Sequence, residues 1–143
     1  MKQYIDFVLH HPYLLVALLG ILVALVAGEL RRRLLGPTEL SPIAATQLLN
    51  HENAVLLDVR ETAEYKEGVL PGSLQIPLAN LKDKIATLEK YRDRPIIVVC
   101  RSGHRSAVAV RQLKQQGYPT VYNLGGGLQA WRNANLPISK KQA

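Results

Sequence analysis

Two kinds of apolar patterning divide the chain. From Phe7 to Gly28, 22 consecutive positions carry no Asp, Glu, Lys or Arg, and the centre, Tyr13 to Ala27, is apolar on every face. As a helix this stretch rises about 33 Å at about 1.5 Å per residue, enough for a hydrocarbon core of roughly 30 Å. A surface helix would show a polar stripe, and none is present. From Ser41 onward the apolar runs are short and alternate with helical spacing.

In that second part, Ser41-Pro42 reads as an N-cap with proline at the first helical position, leading Ile43 to Asn50. Ala54 to Val59 is a continuous apolar run, as in a strand buried on both faces. Thr62 to Glu67 predicts a short helix stopped at Gly68. Leu70 to Ser73 predicts a turn and Leu74 to Ile76 a short strand. Asn80 is placed to cap a helix with Leu81, Ile85 and Leu88 on one face. Pro95 to Val99 is the clearest buried strand. Ser106 to Gln116 reads as a helix ended by Gly117, and Thr120 to Leu124 as the last strand. Gly125-Gly126-Gly127 leads a helix carrying Leu128 and Trp131, closed by Pro137. The expected architecture is α/β: a parallel sheet flanked by helices, preceded by one transmembrane helix. The expected divisions are a tail (1–6), a transmembrane helix (7–30), a basic flank and linker (31–40) containing Gly36-Pro37-Thr38, an α/β domain (41–138) and a C-terminal tail (139–143).

Charge adds direction. Lys and Arg number 18 against 11 Asp and Glu. One basic residue, Lys2, precedes the apolar segment, and Arg31-Arg32-Arg33 follows it directly. The positive-inside rule therefore predicts an outside amino terminus and a cytoplasmic domain. A cleaved signal peptide would carry a basic amino-terminal region, which Asp6 offsets here. The remaining positive charges are dispersed, with no stripe of basic and aromatic residues, so nucleic acid is not an expected partner. One cysteine excludes an internal disulfide and fits a reducing compartment.

That cysteine is the focus of the candidate chemistry. Cys100 ends the clearest strand, and open α/β sheets bind ligands at the carboxyl ends of their strands. It is followed by Arg101-Ser102-Gly103-His104-Arg105 and then a helix. A loop entering a helix this way turns successive backbone N–H groups toward one point, an anion-binding nest. A thiol at that point ionises below its free value of about 8.5. The plain alternative is a buried strand-end cysteine acting as a small hydrophobe. Two arginines, a histidine and two serines in the next six residues are hard to bury and weigh against it. His10, His11 and His51 are remote in sequence, so neither a metal nor a cofactor is expected.

The segment Cys100 to Arg105 resembles the C-x4-R active-site loop of the rhodanese sulfurtransferases. Leu57-Asp58-Val59-Arg60-Glu61 with Glu64-Tyr65 resembles that family's D-x-R…E-[FY] stretch. Gly68-Val-Leu-Pro-Gly-Ser73 with Ile76-Pro77 resembles G-H-I-P-G-A…I-P, with Val69 in place of the histidine. Gly117-Tyr118, Val121, Leu124, Gly126-Gly127 and Trp131 resemble the closing pattern. Together with the apolar segment, the chain is similar to the membrane-tethered single-domain rhodaneses of bacteria.

The resemblance implies sulfur transfer through a persulfide on Cys100, from a small anionic donor such as thiosulfate to a thiol or protein acceptor. It implies a single-pass protein of the bacterial inner membrane, held in the bilayer by residues 7–30, with room for a membrane-protein partner. Arg101, Arg105 and Arg60 would draw in the donor. Arg105 has a second reading, bracing the loop against carbonyls or a carboxylate. His104 would either donate to the persulfide or face water. Ser102 and Ser106 would either donate hydroxyls or cap the following helix. Gly103 would supply a backbone shape open to glycine. Asp58 and Arg60 read as a supporting ion pair. The rival functions are a tethered adaptor or thiol redox sensor and, with less support, a phosphatase or arsenate reductase. Those last use a loop one residue longer.

Overall fold

The computed structural model describes residues 1, 3, 10–35 and 38–140. The chain divides into two compact units, Met1–Gly36 and Pro37–Ala143. The first contains helix α1, Pro12–Leu35. Its stretch Pro12–Leu30 is long and apolar enough to cross a membrane. The part of the expected span before His10, and the linker residues Gly36 and Pro37, lie outside the described residues.

The second unit is a five-stranded parallel sheet. The strands are β1 (Thr38–Leu40), β2 (Val55–Asp58), β3 (Leu74–Gln75), β4 (Ile96–Val99) and β5 (Val121–Leu124), in the order β1-β5-β4-β2-β3. Helices α2 (Pro42–His51), α3 (Leu81–Lys84), α4 (His104–Gln115) and α5 (Gly127–Asn133) connect them, with 3-10 turns at Thr62–Glu67, Leu78–Asn80 and Ile85–Tyr91. All four residues of β2 and of β4 are buried. This is the expected fate of strands covered on both faces.

Side chains alternate across the sheet. Leu57, Val59, Ile96, Val98 and Cys100 join one core cluster with Ala109, Val110 and Leu113 of α4. Leu56, Ile97 and Val99 join a second with Ala45, Leu128 and Trp131. Cys100 therefore faces the α4 side by the parity of β4.

Three local expectations are corrected. Residues 31–40 are not a flank and linker throughout. Helix α1 continues to Leu35, and Thr38–Leu40 is an edge strand whose three residues pair with Tyr122, Asn123 and Leu124. Its Thr-Glu-Leu sequence carries no apolar run because an edge strand this short is mostly exposed. Residues 139–143 are not wholly a tail: Ser139 forms an antiparallel bridge with Val69 through two bonds of 2.8 Å. Asn80 precedes α3 but makes no side-chain cap, because it already lies in helical backbone as the end of a 3-10 turn. The cap at Ser41 is as expected, its hydroxyl accepting the Ala44 N–H at 3.2 Å.

Candidate functional site

The loop after β4, the central strand, carries the site. Residues Arg101 to Gly103 turn the chain directly into α4, which begins at His104, two residues before the expected start. Ser106 thus lies inside the first turn of α4 and is not its cap. Gly103 occupies the cap position at φ +102°, a conformation that favours glycine. This geometry turns the Gly103 N–H onto the Cys100 sulfur, at 3.1 Å from Sγ. The Ser106 hydroxyl lies 3.3 Å from the same atom.

These bonds set the acidity of the thiol. Cys100 is fully buried, and burial pushes its ionisation up. The Ser106 hydroxyl and the N–H groups of Ser106, Gly103 and Ser102 together outweigh that effect and hold it below the ordinary thiol value. Donors bonded to the charged form favour that form.

Helix α5 braces the loop from behind. Leu128 N–H donates to the Cys100 carbonyl at 2.8 Å, and Gln129 N–H donates to that of Arg101 at 3.2 Å. The approach is close enough to require glycine at 127. A Cβ there would collide with the Cys100 carbonyl oxygen and lie 2.7 Å from the Arg101 carbonyl carbon.

The three arginines differ. Arg105 makes a two-pronged ion pair with Glu64, at 2.6 and 2.8 Å. Glu64 also accepts the Glu61 N–H at 2.9 Å. The Arg105 bonds, the Glu61 N–H and the nearby charges of Arg105 and Arg60 outweigh burial and hold the Glu64 carboxyl down at about 2. Of its two readings, Arg105 therefore has the geometry of the brace. The expectation that Arg60 draws in a donor is corrected: it is 1% exposed and locked to Asp58. Its remaining donors reach the carbonyls of Glu64 at 3.3 Å and Gly68 at 2.8 Å. Arg60 thus wraps the 3-10 turn that presents Glu64. Arg101 alone is exposed at the loop with no side-chain partner among the described residues. His104 and Ser102 are exposed and meet each other at 3.2 Å, Ser102 Oγ to His104 Nδ1.

Two participants escaped the sequence reading. Glu64 was part of a motif but not matched to Arg105. Asn123 was read only as part of a strand. It is a buried amide, donating to the Gly103 carbonyl at 3.1 Å and accepting from Ser106 at 2.5 Å. A lone amide near the carboxyl end of an otherwise apolar strand was the available signal. Among the described residues no group of three or more His, Cys, Asp and Glu is placed to hold a metal.

A cysteine at the end of a central parallel strand, cradled by a three-residue loop and the following helix, defines a class of α/β thiol domains. The Rhodanese-like domain family matches residues 41–134, and the chain belongs to that family. It is 30% identical over 139 residues to "Uncharacterized protein YibN" of Escherichia coli strain K12, covering 96% of this chain and 97% of that protein. It is 40% identical over 92 residues to "Sulfurtransferase" of Allochromatium vinosum, covering 64% of this chain and 84% of that protein. Among solved structures, the rhodanese-related protein of Thermoplasma volcanium superposes with a TM-score of 0.66 at 31% identity, covering 73% of this chain and 99% of that one.

Proposed function

We propose that the protein is a sulfurtransferase that carries sulfur as a persulfide on Cys100. The single observation behind this reading is the convergence of the Gly103 N–H and the Ser106 hydroxyl on Sγ, at 3.1 and 3.3 Å. The Cys100 thiolate attacks the outer sulfur of thiosulfate or a similar sulfane donor. The new Sγ–S bond forms as the donor's S–S bond breaks, and its electron pair leaves with sulfite. An acceptor, either a small thiophile or a protein thiol, then attacks the terminal sulfur, and the thiolate returns. Dividing the transfer this way is covalent catalysis.

Each half-step uses the loop. The persulfide places its terminal sulfur about 2 Å beyond Sγ, where N–H groups aimed at a developing anion stabilise it without reorganisation. The sulfur is buried, which favours a slim donor with a protruding sulfur over an ester with a bulky phosphoryl centre. Arg101 meets the anionic donor at the rim, and His104 with Ser102 lines that rim. Arg105 and Gly103 hold the loop's shape, and Asp58 with Arg60 supports the turn that carries Glu64.

The test is intact-mass analysis of the protein after thiosulfate. A gain of about 32 Da, one sulfur, is expected on Cys100 and is removed by cyanide. An unchanged mass with a demonstrably free thiol refutes the reading. Greater turnover of an aryl phosphate than of thiosulfate would favour the phosphatase reading instead.

We further propose that α1 anchors the chain in a bacterial inner membrane, with residues beyond it cytoplasmic. The distribution of Lys2 and Arg31-Arg32-Arg33 supports this orientation. Because Cys100 is the sole cysteine, it reports topology directly. A membrane-impermeant maleimide applied to spheroplasts should label it only after permeabilisation. Labelling of intact spheroplasts contradicts the orientation.

A further inference from the structure

The site contains a buried amide that the two sulfur-transfer steps do not touch. Asn123, in β5, is 1% exposed. A buried primary amide is costly unless its donors and acceptor are matched. Both of its bonds go to the cysteine loop and its helix. Nδ2 donates to the Gly103 carbonyl at 3.1 Å, and Oδ1 accepts from the Ser106 hydroxyl at 2.5 Å. Gly103 determines which way the amide is turned. A carbonyl oxygen only accepts, so the NH2 group faces it and the oxygen faces Ser106.

Those two partners also reach the sulfur. Gly103 donates its N–H to Sγ at 3.1 Å, and Ser106 Oγ lies 3.3 Å from Sγ. Gly103 sits at φ +102°, which glycine adopts without strain, and its carbonyl also accepts the Ala107 N–H at 3.2 Å. Pinning the carbonyl on one side of its Cα limits the rotation of the N–H on the other. Ser106 has a single proton, and the 2.5 Å bond to Oδ1 claims it, so that bond competes with donation to the sulfur 3.3 Å away.

We infer that Asn123 is a positioning residue for Cys100: by tethering the Gly103 carbonyl it keeps the Gly103 N–H aimed at the sulfur. The inference rests on Cys100 being the working nucleophile. Arg105 is electrostatically coupled to Cys100. It is paired with Glu64, and a change at residue 123 removes neither charge.

The experiment uses the full chain with Asn123→Leu, Asn123→Ala and the gentler Asn123→Ser, each alone and combined with Ser106→Ala. The rate of iodoacetamide alkylation of the one cysteine is followed against pH, with thermal melting in parallel. On the Ser106→Ala background, where no hydroxyl proton is released, the alkylation midpoint of the folded variants should lie about one pH unit above that of Ser106→Ala itself, a tenfold loss of thiolate at neutral pH. With Ser106 in place the rise should be smaller, because loss of the Asn123 amide frees the Ser106 proton to turn to the sulfur. A midpoint that stays put in a Ser106→Ala combination that still melts cooperatively overturns the inference. So does loss of folding in all three variants, which would make Asn123 a residue of the fold alone. Thiosulfate loading of the unaltered protein is measured separately. A failure there counts against the sulfur chemistry and leaves the alkylation result standing.

Discussion

The guanidinium of Arg105 grips both carboxylate oxygens of Glu64, at 2.6 and 2.8 Å. The second arginine of the cysteine loop is therefore occupied within the fold, and its charge is matched before any donor arrives. Bidentate pairs of this kind add orientation as well as energy. Arg105→Lys keeps the charge and loses the fork, so it should weaken the brace. Sulfur loading from thiosulfate should slow about tenfold, with little change in KM. A rise in KM alone would assign Arg105 to donor binding.

The same pair makes an acid-dependent contribution to stability. The folded Glu64 carboxyl lies at about 2, below its ordinary 4.5. A depressed carboxyl stabilises the fold above its unfolded value, and that contribution is lost as the pH falls through the folded one. Glu64→Gln should lower stability by about 1 kcal/mol at neutral pH. The gap between variant and parent should close between about pH 4.5 and 2, as followed by thermal melting at stepped pH. A gap that persists to pH 2 would mean the loss comes from packing.

Arg101 stands apart as the loop's exposed arginine. Arg101→Ala should raise KM for thiosulfate several-fold at low ionic strength and leave kcat nearly unchanged. The salt dependence of kcat/KM should flatten in parallel, because added salt screens the same attraction. Steady-state kinetics at two salt concentrations checks both.

Glycines at the loop separate steric from conformational demands. At Gly103 an added Cβ would make ordinary van der Waals contact, the nearest atoms lying 3.6 Å away, and only its φ of +102° opposes a side chain. Gly103→Ala should cost about 1–2 kcal/mol. At Gly127 a Cβ meets backbone of the loop itself. Gly127→Ala should cost about 2–4 kcal/mol and displace the Cys100 carbonyl. Urea unfolding gives the order, and equal losses would contradict the close approach.

The buried pair beneath the site gives a further contrast. Asp58→Ala leaves Arg60 charged, buried and without its counter-ion, so a loss of about 3–5 kcal/mol is expected. The double variant Asp58→Leu with Arg60→Met removes both charges and should recover much of that loss in the same unfolding assay. Sulfur loading should not recover with it, because Arg60 also holds the Glu64 and Gly68 carbonyls.

Much of this protein could be read along the chain. The apolar length of α1, the buried β2 and β4, and a cysteine leading directly into a helix are local features, and each depends on neighbours within a few residues. The donors around Sγ lie in the next six residues for the same reason: a nest is built from consecutive amides. Asp58 and Arg60, two residues apart, were recognisable as a pair.

What lay beyond the linear text is long-range. Glu64 meets Arg105 across 41 residues, and Asn123 meets Ser106 across 17. Neither partner is marked by periodicity, since a polar side chain near a strand end or in a turn fits water as well as a distant hydroxyl. They meet because β2 and β5 flank β4, bringing the turn after β2 and the carboxyl end of β5 alongside the cysteine loop. Thr38–Leu40 became a strand for a related reason. Its three residues carry little strand preference of their own, and the open edge of β5 supplies the hydrogen bonds that fix them.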